Sequence, residues 1–349
     1  MVRNAIARSS VIALMSAVLF SAVLAALAAT ISFGPRLAAD QSARPAPARA
    51  AGAGKSTASR TPWGDPDLQG LWTNTTTTPL QRPSGLAGKQ VLTDEERAEL
   101  DDRSARNADR PPRPGDPGAY NDFWLDKGKA STQTSLIVDP SDGKLPSLTP
   151  EAQKRAEGLA ASRRLPPASW EDLNFLERCI TRGMPGAMLP GFYNHNYQIV
   201  QTPGYVVILV EMIHDVRIIP LDARPHLDPH IRQWLGDSRG RWDGDTLVVE
   251  TTNFNGKVTE QRPSHTVFGI SENLTLVERF TRVDRNTIDY RFTVTDPTTF
   301  TRPWTAATPM SRIAQPIYEY ACHEGNYAAP NMLRGARAQE QAEALKRND

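Results

Sequence analysis

The stretch LTLVERFTRVDRNTIDYRFTV, Leu274–Val294, decides the fold. Leu274, Leu276, Glu278 and Phe280 alternate with polar neighbours, and Ile288, Tyr290, Phe292 and Val294 resume the alternation after Asp284-Arg285-Asn286-Thr287. A period of two gathers every second side chain on one face of a strand. The Asp- and Asn-rich interval is turn chemistry. The segment therefore reads as a β-hairpin whose outer side carries Asp289, Arg291, Thr293 and Thr295.

The same signals recur on either side. Asp243-Gly244 marks a tight turn between Arg241-Trp242 and Thr246–Glu250. Val206–Val210 is an unbroken apolar run, as expected of a strand covered on both faces, and Val216–Leu221 follows after a very short connection. Leu68–Thr75, Arg302–Arg312 and Ile317–His323 complete a set of about ten strands joined mostly by turns. No helices separate consecutive strands, which argues against parallel βαβ units. An antiparallel sheet that closes on itself removes its exposed edges. The expected fold is mainly β: an antiparallel β-barrel with peripheral helices and an irregular, proline-rich N-terminal region.

Three helices are expected before the strands. Thr93 and Glu96 form a capping box that starts one at Leu92–Asp94 and carries it to about Arg106. Thr149-Pro150 starts a second that runs to Ser162, with proline at its first position. A third is read at Ser169–Thr181, with Trp170, Leu173, Phe175, Leu176 and Ile180 on a stripe and Cys179 near its end. Asn331–Lys346 reads as a surface helix or a frayed tail.

The chain begins with Arg3 and Arg8 ahead of an uncharged apolar run, Val11–Ala29, that contains the small-residue pattern Ala26-Leu27-Ala28. This is the form of a secretory signal, with a retained anchor as the alternative because the run nearly spans a bilayer. The expected organisation is a signal peptide at 1–28, a disordered Ala/Pro/Gly/Ser linker at 29–60, and one β-barrel domain at 61–349 with a helical N-terminal embellishment and a C-terminal tail. The net charge is +1, and loss of Arg3 and Arg8 makes it −1, so nucleic acid is not an expected partner. Location is expected to be periplasmic or secreted, with no membrane association after signal cleavage. The chain has 2 cysteines, Cys179 and Cys322, and in an oxidising compartment an even pair favours a disulfide.

Two resemblances follow from particular residues. Gly70-Leu71-Trp72 resembles the G-x-W of the first strand in lipocalins and their calycin relatives, where the tryptophan plugs one barrel end; it implies a calycin-like barrel. GDSRGRWDGDTLVVETTNFNG (Gly236–Gly256), ERFTRVDRNTIDYRFTVTDPTTFTRPW, YEYACHEGNY, TPWGDPDLQGLW and TSLIVDPSDGKLPSLTPEAQKR together resemble a widespread family of exported bacterial proteins. That resemblance spans almost everything after Thr61 and implies export. It brings no reaction and no catalytic residues, so the chemistry rests on the side chains themselves.

In IYEYACHEGNY, Ile317–Tyr327, strand alternation places Tyr318, Tyr320, Cys322 and Glu324 on one face and Glu319, Ala321 and His323 on the other. Cys322 is then not activated by its neighbour His323. Glu319 and His323 are candidate catalytic residues if they face a ligand inside the barrel, and a solvated pair if they face outward. His195 is the third catalytic candidate, sharing its face with Tyr193 and Tyr197 in a polar lining or a hydrogen-bonded core patch. Glu211, Asp215 and Arg217 share one parity beside an apolar strand. A carboxylate there needs a partner, which Arg217 supplies to Glu211 or Asp215, or it carries a raised pKa suited to proton transfer. Tyr193, Tyr197, Glu211, Asp215 and Arg217 are the candidate ligand-binding residues.

Other motifs carry less. His226 and His230 have zinc-like spacing, but Asp228-Pro229 reads as the start of a short helix that leaves His226 outside, so no metal site is assigned. Gly236-Asp237-Ser238 lacks the strand-to-helix setting of a nucleophile elbow. No phosphate-cradling loop or dinucleotide fingerprint occurs, and no cofactor is expected. The functional expectation is an exported barrel that holds, or transforms by acid/base chemistry, a mostly apolar small molecule. The alternative is a non-enzymatic envelope module that binds a protein or glycan. The two differ in whether Glu319, His323 and His195 converge in a pocket or spread over the outer surface.

Overall fold

The Leu274–Val294 hairpin forms as β8 (Thr275–Arg282) and β9 (Thr287–Thr295), paired antiparallel from Thr275↔Thr295 to Arg282↔Ile288. Leu276, Glu278, Phe280, Ile288, Tyr290, Phe292 and Val294 are buried, so the sequence alternation is the inside–outside alternation of the sheet. The molecule is a computed structural model that describes residues 59–108, 111, 125–162, 164–191, 193–257 and 271–348. The expected signal segment and most of the linker lie outside the described residues. All described residues belong to one compact unit, Gly54–Asp349.

Nine further strands build the sheet: β1 (Gly70–Thr73), β2 (Ile137–Asp139), β3 (Asn196–Thr202), β4 (Tyr205–Val210), β5 (Val216–Pro220), β6 (Asp237–Asp243), β7 (Thr246–Thr252), β10 (Trp304–Ala307) and β11 (Met310–Arg312). Their order is β5-β4-β3-β1-β11-β9-β8-β7-β6, with β10 extending the pairing on β9 and β2 pairing with β10. Every strand pair is antiparallel.

The sheet curls until its two end strands meet. β5 and β6 touch without a hydrogen-bonded ladder, so the barrel is nearly closed and has one seam. Gly240 makes this approach possible, because a Cβ there would stand 2.6 Å from Leu221 Cδ2 and 2.8 Å from Ile219 Cγ2.

The lumen is filled by side chains. Phe280 stacks on Tyr290 at 4.6 Å between ring centroids, and Trp304 meets Phe292 edge-on at 5.6 Å. Trp72 of the G-x-W is fully buried, donates from Nε1 to the Leu68 carbonyl at 3.0 Å, and has the Arg282 guanidinium over its ring.

Helices lie outside this core. α1 (Asp94–Ala108) begins with the expected capping box, in which the Glu96 N–H donates to Thr93 Oγ1 and the Thr93 N–H to Glu96 Oε2. α2 (Pro150–Ser162) is capped by Thr149, whose Oγ1 accepts from the Ala152 N–H. α3 (Ala328–Asn348) forms at the C-terminus, where Arg337 donates to the carbonyls of Pro167 and Ala168.

Four local expectations are corrected. Ser169–Thr181 is not a helix: a 3-10 turn at Trp170–Asp172 ends at extended Leu173. Asn174 then caps a new turn by accepting from the Glu177 N–H, and short polar side chains of this kind compete with a continuing helix. Ile317–His323 is not a strand. After β11 the Ile313 N–H donates to Leu71 O, and beyond it the Tyr318 N–H donates to the Glu211 side chain instead of to a neighbouring strand. Val206–Val210 is covered on one face only: Val206, Ile208 and Val210 point inward, while Val207 and Leu209 are half-buried outside. Asp228-Pro229 starts a turn and not a helix.

Candidate functional site

The connection between β4 and β5 sets the site. It is a 3-10 turn at Met212–His214 in which Ile213 and His214 take positive φ, 64° and 52°. This resets the strand parity. Arg217 therefore pairs with Ile208 across the ladder and points into the lumen, not toward Glu211 or Asp215. Its Nη1 donates to Glu278 Oε1 at 2.9 Å, its Nη2 contacts Glu278 Oε2, and the Tyr290 hydroxyl donates to Glu278 Oε1 at 2.8 Å. Both charged side chains are at most 1% exposed. Burial disfavours charge on Arg217, but the adjacent Glu278 carboxylate outweighs it and holds the guanidinium pKa above its ordinary value. The expected pairing of Arg217 with Asp215 or Glu211 is thus replaced by one with Glu278 across the barrel.

Glu211 and Asp215 serve the other side of the turn. Glu211 accepts from Asn196 Nδ2 at 2.6 Å and from the Tyr318 N–H at 3.0 Å. Asp215 accepts from the Thr181 hydroxyl at 2.9 Å and from the Arg182 backbone N–H. Burial raises the Asp215 carboxyl above the usual range, against the lowering effect of those two hydrogen bonds.

Behind Asp215 lies a polar cluster. Arg182 Nη1 donates to His195 Nε2 at 2.5 Å. A guanidinium only donates, so Nε2 must carry its lone pair and His195 is the neutral, Nδ1-protonated tautomer in this contact. Desolvation lowers the pKa of Arg182, opposed by the nearby hydroxyls of Tyr197, Tyr193 and Tyr320. Tyr197 is buried, and its hydroxyl reaches Asn74 Oδ1 at 3.2 Å and the Ala187 carbonyl at 3.3 Å. Asp126 accepts the backbone N–H groups of His195 and Asn194, and burial raises its carboxyl. Its Oδ2 is buried with no hydrogen-bond partner among the described residues. Gly191 makes room for the imidazole: a Cβ there would stand 1.8 Å from His195 Nε2.

A groove of about 540 Å³ runs over the barrel seam beside this cluster. Thr181, Asp215, Val216, Ile218, Trp234 and Leu235 are among the residues that line it. Val216 and Ile218 are 50% and 62% exposed, so the β5 side of the wall is an open apolar surface, while Arg232, Gln233, Asp237 and Ser238 make the opposite side polar. Cys179 and Cys322 form a disulfide with Cα atoms 5.7 Å apart, which fixes the Ile180–Thr181 wall to the C-terminal strap. Asn326 Nδ2 adds a 2.7 Å bond to the Glu177 carbonyl.

The structure thus brings Tyr193, His195, Tyr197, Glu211 and Asp215 into one neighbourhood. Glu319 and His323 are exposed on the strap. Sequence reasoning missed Arg182 and Asp126, which lie in segments with no periodicity, and Asn74, which falls within the expected strand Leu68–Thr75 but was given no role. It also left Glu278 and Tyr290 unassigned, although Glu278 shares its parity with Leu276 and Phe280 and so had to be buried. Among the described residues no group of three or more His, Cys, Asp or Glu is arranged to hold a metal ion. His226 instead faces Asp237 Oδ2 at 2.9 Å and Glu250 Oε1 at 3.3 Å.

Fold and site define a nearly closed antiparallel barrel with a packed lumen and a polar cluster behind an open seam. Compared with known proteins, the chain matches no family model, no curated protein and no solved structure.

Proposed function

We propose that this is an exported barrel protein, periplasmic or secreted, that takes a mostly apolar small molecule into the seam groove and can act on it by acid/base chemistry. The observation that carries this reading is the groove itself: a wall that combines Val216, Ile218, Trp234 and Leu235 with polar side chains, and Asp215, a carboxyl whose pKa burial raises, among them. Pockets that combine apolar walls with convergent polar groups are the common form of small-molecule sites. A carboxyl that retains its proton can donate it to a ligand oxygen. Arg182, His195 and Asp126 lie behind Asp215 and position the segment that holds it. Glu319 and His323 stand apart from this chemistry. Export is supported by the apolar N-terminal run, by the disulfide and by the resemblance to exported bacterial proteins. The G-x-W supports the calycin-like reading, and the packed lumen moves the ligand from the barrel interior to the seam.

A second reading has its own observation. Glu319 and His323 are exposed beside Tyr318 and Tyr327, which are 65% and 73% exposed, as suits an envelope module that binds a protein or glycan partner.

Mass spectrometry of small molecules that co-purify from the native host separates the two. A molecule present with the wild type and absent with Ile218→Asp supports the groove. The same complement of molecules from both proteins refutes it.

A further inference from the structure

The arginines removed from solvent differ in how many of their donors they spend. Arg82 gives Nε to the Thr134 hydroxyl and Nη1 to the Ser141 carbonyl. Arg282 gives its three nitrogens to the carbonyls of Asp284, Asp67 and Arg285. Arg217 meets Glu278 with both Nη groups.

Arg182 is different. Among the described residues its guanidinium has one hydrogen-bond partner, the neutral His195 ring, reached from Nη1 at 2.5 Å, and no ion pair. The Nε–Nη2 edge of the fork is unspent. The acids of the cluster are turned elsewhere: Asp126 to the backbone N–H groups of His195 and Asn194, Asp215 to Thr181 and the Arg182 backbone N–H, and Glu211 to Asn196 and the Tyr318 N–H. The groups that stand near the guanidinium are Tyr193, Tyr197 and Tyr320. An arginine does not escape by losing its proton, and a charge withdrawn from water is costly without a counter-charge.

His195 and Tyr197 are buried, whereas Arg182, Tyr193 and Tyr320 are half-buried, so the cluster has a closed floor and an accessible rim. Thr181 lines the seam groove, but the next side chain, Arg182, turns to His195 instead.

We infer that Arg182 binds the carboxylate of a small monoanionic ligand, side-on through Nε and Nη2, with the ligand body against Tyr193 and Tyr320. This site is separate from the seam groove and does not depend on it. The unspent edge offers one positive charge and two parallel donors, which match the two oxygens of a carboxylate. A phosphate dianion would retain a charge that nothing in the cluster meets.

Isothermal titration calorimetry on the purified full chain tests this with benzoate, its neutral amide benzamide, and inorganic phosphate. Benzoate should bind at least about tenfold more tightly than either, the worth of one charge-assisted hydrogen bond. Arg182→Gln should abolish that preference, and Arg182→Lys, which keeps the charge without the two-point edge, should lose most of it. Where a variant does not fold, the wild type decides by modification with phenylglyoxal, which attacks guanidinium groups, followed by peptide mass mapping. Benzoate should protect Arg182 from the reagent, and benzamide should not. The inference is overturned if benzoate binds no more tightly than benzamide or phosphate, keeps its affinity in Arg182→Gln, or leaves modification at Arg182 unchanged. The groove proposal stands or falls separately, on Ile218→Asp.

Discussion

A buried and a half-buried charged group sit on either side of the β4–β5 turn, and they are built for different ends. The lumen group, Arg217–Glu278–Tyr290, is enclosed on every side and its acid meets an arginine in a two-point contact. The group behind the seam, Arg182–His195–Asp126 with Asp215, pairs its arginine with a neutral imidazole, and among the described residues no guanidinium pairs with either carboxyl. The first arrangement fixes charges. In the second, burial raises the pKa of both carboxyls. Only Arg217 Nε is left without a partner in the lumen group. The contrast teaches that burial alone does not mark a functional site; what matters is whether a buried acid is matched by a cation.

The contrast breaks most sharply at Glu278. Glu278→Ala leaves Arg217 charged and unpaired inside the barrel, and chemical denaturation should show a loss of about 3–5 kcal/mol. Replacing both partners with apolar residues, Arg217→Met with Glu278→Leu, should recover most of that loss. If the single substitution proves harmless, the lumen pair does not hold charge as described.

The disulfide comes next. It ties residues 143 apart and anchors one wall of the groove. Cys322→Ser and Cys179→Ser should each cost about 2–4 kcal/mol, and the double variant little more than either, because both remove one bond. Thiol titration of the folded wild-type protein should find no free cysteine.

A smaller effect probes the seam cluster. Gly191→Ala forces a methyl against the His195 ring and should cost about 1–3 kcal/mol as an overpacked site. In a His195→Ala background the same change should cost much less. Equal costs in the two backgrounds would show that the imidazole is not where the structure places it.

The smallest effect is one of pH. Burial raises the carboxyls of Asp126 and Asp215, so the folded chain holds protons that the unfolded chain has released. The stability linked to them is complete below the ordinary carboxyl pKa and is lost as pH rises through the raised values. Asn at both positions should raise the melting temperature at neutral pH and flatten its fall between acid and neutral conditions. The same pair of substitutions with an unchanged pH profile would remove the distinction between the two clusters.

Legibility follows the same division. The inner and outer faces of β8 and β9 were readable because half-buried strands enforce a period of two over eight or nine positions, though Thr287, read as part of the turn, opens β9. The turn at Asp243-Gly244 and the caps at Thr93 and Thr149 were readable because each depends on a few adjacent side chains. The Cys179–Cys322 bond could be expected from an even cysteine count together with the expectation of export.

The strap at Ile317–Tyr327 was not readable. Its alternating residues imitate a strand, and only the competing hydrogen bond from the Tyr318 N–H to Glu211 shows that it is none. Arg217 misled in the same way, since two positive-φ residues between β4 and β5 reversed the face it occupies.

By itself the sequence determined that this chain makes an antiparallel, barrel-forming sheet, which residues of its longest hairpin are buried, and that its two cysteines belong together. Those are consequences of local periodicity and of composition, and neither needs knowledge of a distant neighbour. Tertiary structure alone decided that Glu278 meets Arg217, that Arg182 meets His195, and that β5 and β6 leave a seam with Asp215 beside it. Each of these depends on how a curled sheet brings remote residues together, and on which charges find a partner once water is gone.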